Sequence, residues 1–167
     1  MKRLSTAALL IVTATFCASA SPINIEFPQT VYDVLPGELV DVTAILQNTD
    51  PNDPVYLNGD DLNVPESASS TDFFFTNVPI SLNPSASTAT IELFSFVVSS
   101  TAAPGTYTGT YDLFGGVGTA DQYNFDLVGS QSFSIFVAPE PSTMLLLGCG
   151  LMAIAAVSQR WRRARCK

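Results

Sequence analysis

Between residues 4 and 159 the chain contains no lysine, arginine or histidine, so carboxylates are the groups left for acid–base chemistry. The absence of histidine throughout removes Ser-His nucleophilic catalysis and histidine-ligated zinc. Between residues 21 and 141 there is also no cysteine and no lysine, which removes thiolate and Schiff-base mechanisms there. A paired acid and base of the kind that hydrolyses glycosidic bonds would draw on Asp60, Asp61 and Glu66, or on Asp112 with Asp126. Nothing in the sequence separates one pair from another among 15 acids. The expectation is therefore solvated loop and strand-edge carboxylates, and a protein that is not an enzyme.

The second chemistry open to carboxylates is cation binding. Residues 48–66 read NTDPNDPVYLNGDDLNVPE, with Asp50, Asp53, Asp60 and Asp61 as candidate calcium ligands. Calcium takes six to eight oxygen ligands, and an oxygen-rich loop can supply them. The spacing is not that of an EF-hand. Counted from Asp50, Pro54 falls where the fifth position needs an oxygen, and no glutamate stands at the twelfth. Asp, Asn, Pro and Gly are also turn formers for purely backbone reasons. No other cofactor is expected.

All 15 acidic residues lie between Glu26 and Glu140, and all 7 basic residues lie outside that stretch. The whole-chain charge of −8 thus hides a central part whose side chains sum to −15. Such a surface repels phosphate backbones and anionic lipid, so nucleic acid is excluded as a partner.

The two ends carry a different pattern. Lys2 and Arg3, the apolar stretch Ala7 to Phe16, and the small residues Ala18-Ser19-Ala20 make residues 1–20 a secretory signal peptide, cut before Ser21. Phe16 before Cys17 breaks the small-residue requirement of a lipoprotein site. At the other end, Pro139-Glu140-Pro141-Ser142-Thr143 precedes an apolar run over 144–157 and a basic end over 160–167 that holds Arg160, Arg162, Arg163 and Arg165. As a helix the run rises about 21 Å. Extended to 143–159 it reaches about 17 residues, the lower limit for a bilayer core of about 30 Å. The cations hold the end on the cytoplasmic side, and everything before Pro139 lies outside.

Residues 138–167 resemble the PEP-CTERM sorting signal of exported proteins from exopolysaccharide-making Gram-negative bacteria. The resemblance rests on the tripeptide, the short apolar helix and the arginine cluster in that order. It implies an exosortase as partner and processing at or near Pro139-Glu140-Pro141. It also implies a membrane-held intermediate at the inner membrane, and delivery to the cell surface or extracellular matrix. Extracellular polysaccharide then becomes a neighbour. A glycan-binding or calcium-dependent adhesion module is the alternative to a plain matrix component, with Tyr32 and Tyr56 as surface platforms for sugar faces.

The elements that must position these groups read as strands. Val40, Val42, Ala44 and Leu46 alternate with polar residues, as do Tyr107, Tyr111 and Leu113. Tyr123, Phe125 and Leu127 alternate again, followed by Phe133, Ile135 and Val137. Period-two alternation fits half-buried antiparallel strands. Residues 91–98 are apolar on both faces and read as a central strand, and 23–27 and 73–76 complete seven or eight strands. Cys17, Cys149 and Cys166 all lie outside residues 21–137, so no disulfide is expected within them. The predicted fold of 21–137 is all-β, an Ig-like antiparallel β-sandwich. The Pro36-Gly37 and Pro104-Gly105 turns resemble those of bacterial immunoglobulin-like modules. A C-terminal transmembrane sorting helix follows.

Overall fold

The computed structural model describes residues 21–118, 124–139 and 145–155. Ile23, Ile25 and Phe27 alternate inward, and Ile23–Glu26 forms β1. Pro28 cannot donate to a ladder. The chain leaves β1 there and re-enters as β2, Val31–Val34, in the other sheet. The remaining strands are β3 (Leu39–Asn48), β4 (Val55–Asn63), β5 (Ala68–Asp72), β6 (Ser81–Leu82), β7 (Ile91–Val98), β8 (Gly105–Val117) and β9 (Asp126–Val137). One sheet has the order β1-β3-β7-β5 and the other β2-β9-β8-β4-β6. The two sheets pack face to face as an all-β sandwich.

Not every pairing is antiparallel. β2 runs parallel to β9, with Val31 opposite Ser134 and Val34 opposite Val137. A long-range pairing between the start and end of the sandwich leaves no local mark in the sequence. The turn into β3 is legible, however. Glu38 N–H donates to Leu35 O at 3.1 Å around Pro36 and Gly37, and Gly37 has φ of +84°. That is the geometry a type II turn requires of glycine.

The alternation in β3 and β8 stands as read: Val42, Ala44, Leu46, Tyr111 and Leu113 are buried. In β9 it does not. Phe125 and Leu127 are 59% and 56% exposed, while Val128 is 2% exposed. Leu113 pairs with Gly129 and Phe114 with Leu127, so Val128 is the extra residue of a bulge. One inserted residue turns the rest of the strand over. Residues 73–76 are not a strand either. Phe74–Asn77 form a single helical turn, α1, started by Phe74 N–H donating to Asp72 Oδ1 at 2.9 Å. Phe74 plugs the core and Phe75 faces out at 85% exposure.

Aromatic rings fill the centre. Phe94 lies 5.5 Å from Tyr111 and 5.3 Å from Phe133, and Tyr32 meets Phe96 edge-on at 5.8 Å. Each such pair is worth about 1 kcal/mol beyond its buried area. Residues 145–155 are helical. Among the described residues no helix is long and apolar enough to cross a membrane. Residues 1–20, expected to be a signal peptide with Ala18 and Ala20 at its cut, and the basic end with Arg160, Arg162, Arg163 and Arg165, lie outside the described residues.

Candidate functional site

The four acids proposed for calcium fall on two different elements. Asp50 and Asp53 sit in the β3–β4 loop, and Asp50 Oδ1 is taken up by the backbone N–H groups of Asn52 and Asp53 at 2.8 and 3.1 Å. Asp60 and Asp61 belong to β4 rather than to a loop. An extended chain puts them about 20 Å further on. Among the described residues no three acids converge in a way that would hold a metal ion. The loop is organised instead by Asn48, which is fully buried. Its Nδ2 donates to Asp53 O at 2.9 Å and to Leu82 O and Asn83 O at 3.1 Å, and its Oδ1 accepts from Asp50 N–H at 2.9 Å.

Asp60 and Asp61 point in opposite directions because they are neighbours on a strand. Asp61 faces outward, directly opposite Asp112, whose Oδ1 accepts from Ser130 Oγ. Asp60 turns inward, next to Leu113 and towards Tyr111. Asp72, at the exposed end of β5 in the other sheet, adds its negative charge nearby. The structure thus brings Asp60 together with Asp72, a residue the sequence did not single out, and not with Asp61 or Glu66. Asp126 pairs with Gly115, further along the sheet from Asp112. Burial, reinforced by the Asp72 carboxylate, pushes the Asp60 carboxyl up to about 6, with the Tyr111 hydroxyl opposing.

Tyr32 is no surface platform. It is 3% exposed, and burial pushes its hydroxyl up to about 12. Tyr56 is half-buried on the outer face of β4, opposite Gly116. The aromatic surface there belongs to Phe125 and Phe114. The Phe125 ring lies over Gly59, where a Cβ would come within 3.3 Å of it. Phe114 pairs with Gly59 on one side and Leu127 on the other. Asn58 Nδ2 donates to Asn124 O at 2.8 Å and holds the chain just before Phe125. The reversed phase of β9 concealed this face in the sequence.

The sandwich closes at β9. Val137 is fully buried, Ala138 N–H donates to Val34 O at 2.9 Å, and Pro139 is exposed. Glu140, Pro141, Ser142 and Thr143 lie outside the described residues.

No curated protein matches the chain by sequence. Among solved structures, one described as AvmM, which catalyses macrocyclization in alchivemycin A biosynthesis, has a TM-score of 0.43 at 10% identity. It covers 72% of this chain and 91% of its own. A type I cohesin–dockerin complex from Clostridium thermocellum has a TM-score of 0.37 at 14% identity, covering 70% of this chain and 99% of its own. At TM-scores under 0.5 neither carries function across to this chain. A family model does match at the C-terminal end, over residues 137–163, and its description is PEP-CTERM protein-sorting motif. The match starts at the last core residue of β9 and takes in Pro139-Glu140-Pro141, the apolar run and the first arginines. Residues 137–163 of this chain carry a PEP-CTERM protein-sorting motif.

Proposed function

We propose that this chain is a non-catalytic exported protein whose β-sandwich is cargo, handed by an exosortase to the cell surface or extracellular matrix. The observation that carries the reading is the junction at residue 137. The last core side chain is Val137, and the motif begins there. A cut near Pro139-Glu140-Pro141 would leave the fold whole and remove no core residue. The strand pairing supports an Ig-like sandwich, with β1-β3-β7-β5 in the place of the A-B-E-D sheet and β4, β8 and β9 in the place of C, F and G. Tyr107 Oη donates to Ala103 O at 2.8 Å, which matches the tyrosine that ties the corner before strand F in such domains. The non-catalytic reading rests on where the acids sit. One surface depression, of about 450 Å³, has Glu66 as its one titratable wall residue. Another, of about 340 Å³, offers Asp33 and Glu38, but Glu38 Oε2 is engaged by Leu35 N–H at 2.7 Å. The test is replacement of Pro139, Glu140 and Pro141 by alanine. The variant should accumulate at unprocessed size in membranes, and normal processing would refute the reading.

A second reading, glycan binding, is favoured by the exposed Phe125 ring over Gly59. Phe114, Tyr56, Asn58 and the Asp61–Asp112 pair frame it with rings, an amide and hydrogen-bond acceptors. Flat rings beside polar groups suit the apolar and hydroxyl faces of a neutral sugar. In affinity electrophoresis against the host polysaccharide the full-length chain should be retarded and the Phe125→Ala variant should not. Equal mobility with and without polysaccharide removes this reading.

A further inference from the structure

The outward face of the five-stranded sheet is a ladder of cross-strand rows whose two ends are alike. In β8 and β9 the side chains of Tyr111, Leu113, Phe133, Ile135 and Val137 are buried, so their neighbours point out. The first outward row sets Phe136 opposite Thr106. The last sets Leu127 opposite Phe114, which faces Gly59 of β4 on its other side. Phe136 and Leu127 are both exposed. Hydroxyls fill the space between these ends: Ser134 opposite Thr108 in the second row, then Ser132 opposite Thr110 in the third. The fourth row has Ser130 opposite Asp112, and Ser130 Oγ donates to Asp112 Oδ1.

We propose that this face pairs with the same face of a second copy, about a two-fold axis that lies over the third row and runs across the strands. Such an axis lays each strand over its own copy in the reverse direction, so the first row of one chain covers the last row of the other. Phe136 meets the partner's Leu127, hydroxyls meet hydroxyls in the middle, and Asp112 comes over the partner's Thr108. The face is about 30 Å long from Phe136 to Leu127, and four strands make it about 19 Å wide. Two copies would together cover roughly 1,100 Å², the weak end of specific interfaces. The pair therefore forms and parts with concentration.

Charge selects this axis over the other one open to stacked faces. A two-fold along the strands would lay each row on itself and bring Asp112 beside the partner's Asp112. Like charges so placed repel, and the sequence holds no lysine, arginine or histidine between residues 4 and 159 to separate them. Under the crosswise axis Asp112 gains a hydroxyl donor instead. Asp61 meets no strand, because the partner's β4 pairs only as far as the third row. Asp33, outward on β2 beside Phe136, meets none either, because β2 reaches only the first two rows. A neutral sugar on Phe114 and Phe125 would compete with a second copy for the last row.

The test is sedimentation equilibrium of the full-length chain in mild detergent at about 0.1 M salt, with variants at exposed Thr108. Wild type should dimerise reversibly. Thr108→Asp sets an acid against the partner's Asp112 and should weaken the dimer about tenfold. Thr108→Lys sets a cation there and should tighten it about tenfold, whereas an axis along the strands would oppose lysine to lysine. Ser70→Lys, on exposed β5 of the other sheet, makes the same change in net charge and should stay within about twofold of wild type. A wild-type chain that is monomeric at about 0.1 mM would overturn the proposal. Association indifferent to both Thr108 variants would do the same, since it would then belong to the apolar tail. Weakening by Thr108→Lys would overturn the crosswise axis. A monomer that the host polysaccharide retards, with Phe125→Ala unretarded, would overturn pairing and give this face to the glycan.

Discussion

Asn48 donates one amide group to three carbonyls and accepts a backbone N–H, and it does so with no access to solvent. Removing that amide leaves buried carbonyls unpartnered, and each such group costs on the order of 1–3 kcal/mol. Asn48→Ala should therefore destabilise the full-length chain by about 3 kcal/mol in chemical denaturation. A loss under about 0.5 kcal/mol, the usual range of a surface change, would show that the loop does not depend on it. The sequence held a sign of this role. Asn48 continues the inward phase of Val42, Ala44 and Leu46, and a polar residue in that phase needs partners. Reading 48–66 as one turn-rich stretch hid it. The carboxylates were less legible. Asp60 and Asp61 are adjacent and chemically alike, and only the strand direction and the arrival of Asp72 from the other sheet distinguish them.

At the scale of elements, bulges decided what could be read. β3 and β8 show plain alternation, and their faces follow from it. In β9 and β4 an extra residue, Val128 and Asn58 respectively, reverses the phase without changing local composition. The expected inward positions of Phe125 and Leu127 failed for that reason. β5 and β6 are short and polar, so they carry no alternation to find. Close strand approach sets another limit. A Cβ on Gly115 would lie 1.8 Å from Tyr56 O, a backbone atom that cannot swing away. Gly115→Ala should force β4 and β8 apart and cost about 3 kcal/mol of stability. Gly105 has nothing within 4 Å of such a Cβ. Gly105→Ala serves as the control and should cost under about 1 kcal/mol. Equal unfolding midpoints for the two variants would contradict the packing described here.

For the whole molecule, charge and export matter most. The sandwich carries acids without a compensating base, so self-repulsion opposes its compact state. Screening shortens the Debye length from about 30 Å at about 0.01 M salt to about 10 Å at about 0.1 M. The melting temperature of the full-length chain should rise by about 5 °C between those concentrations. A melting temperature unmoved by salt would show the acids too dispersed to matter. The all-β class was legible because alternation and turn residues are local, and the sorting motif was legible because it is a contiguous string. The parallel β2–β9 pairing was not, since it joins residues about a hundred positions apart. The central claim is that residues 137–163 deliver an intact sandwich through exosortase processing. It is tested most directly by probing cells with and without the exosortase, using an antiserum raised against the sandwich. When the enzyme is present, the chain should be shortened by the segment after the Pro139-Glu140-Pro141 region and be found at the surface or in the matrix. Without it, the full-length chain should stay with the membrane. The same size and the same distribution in both cells would contradict it.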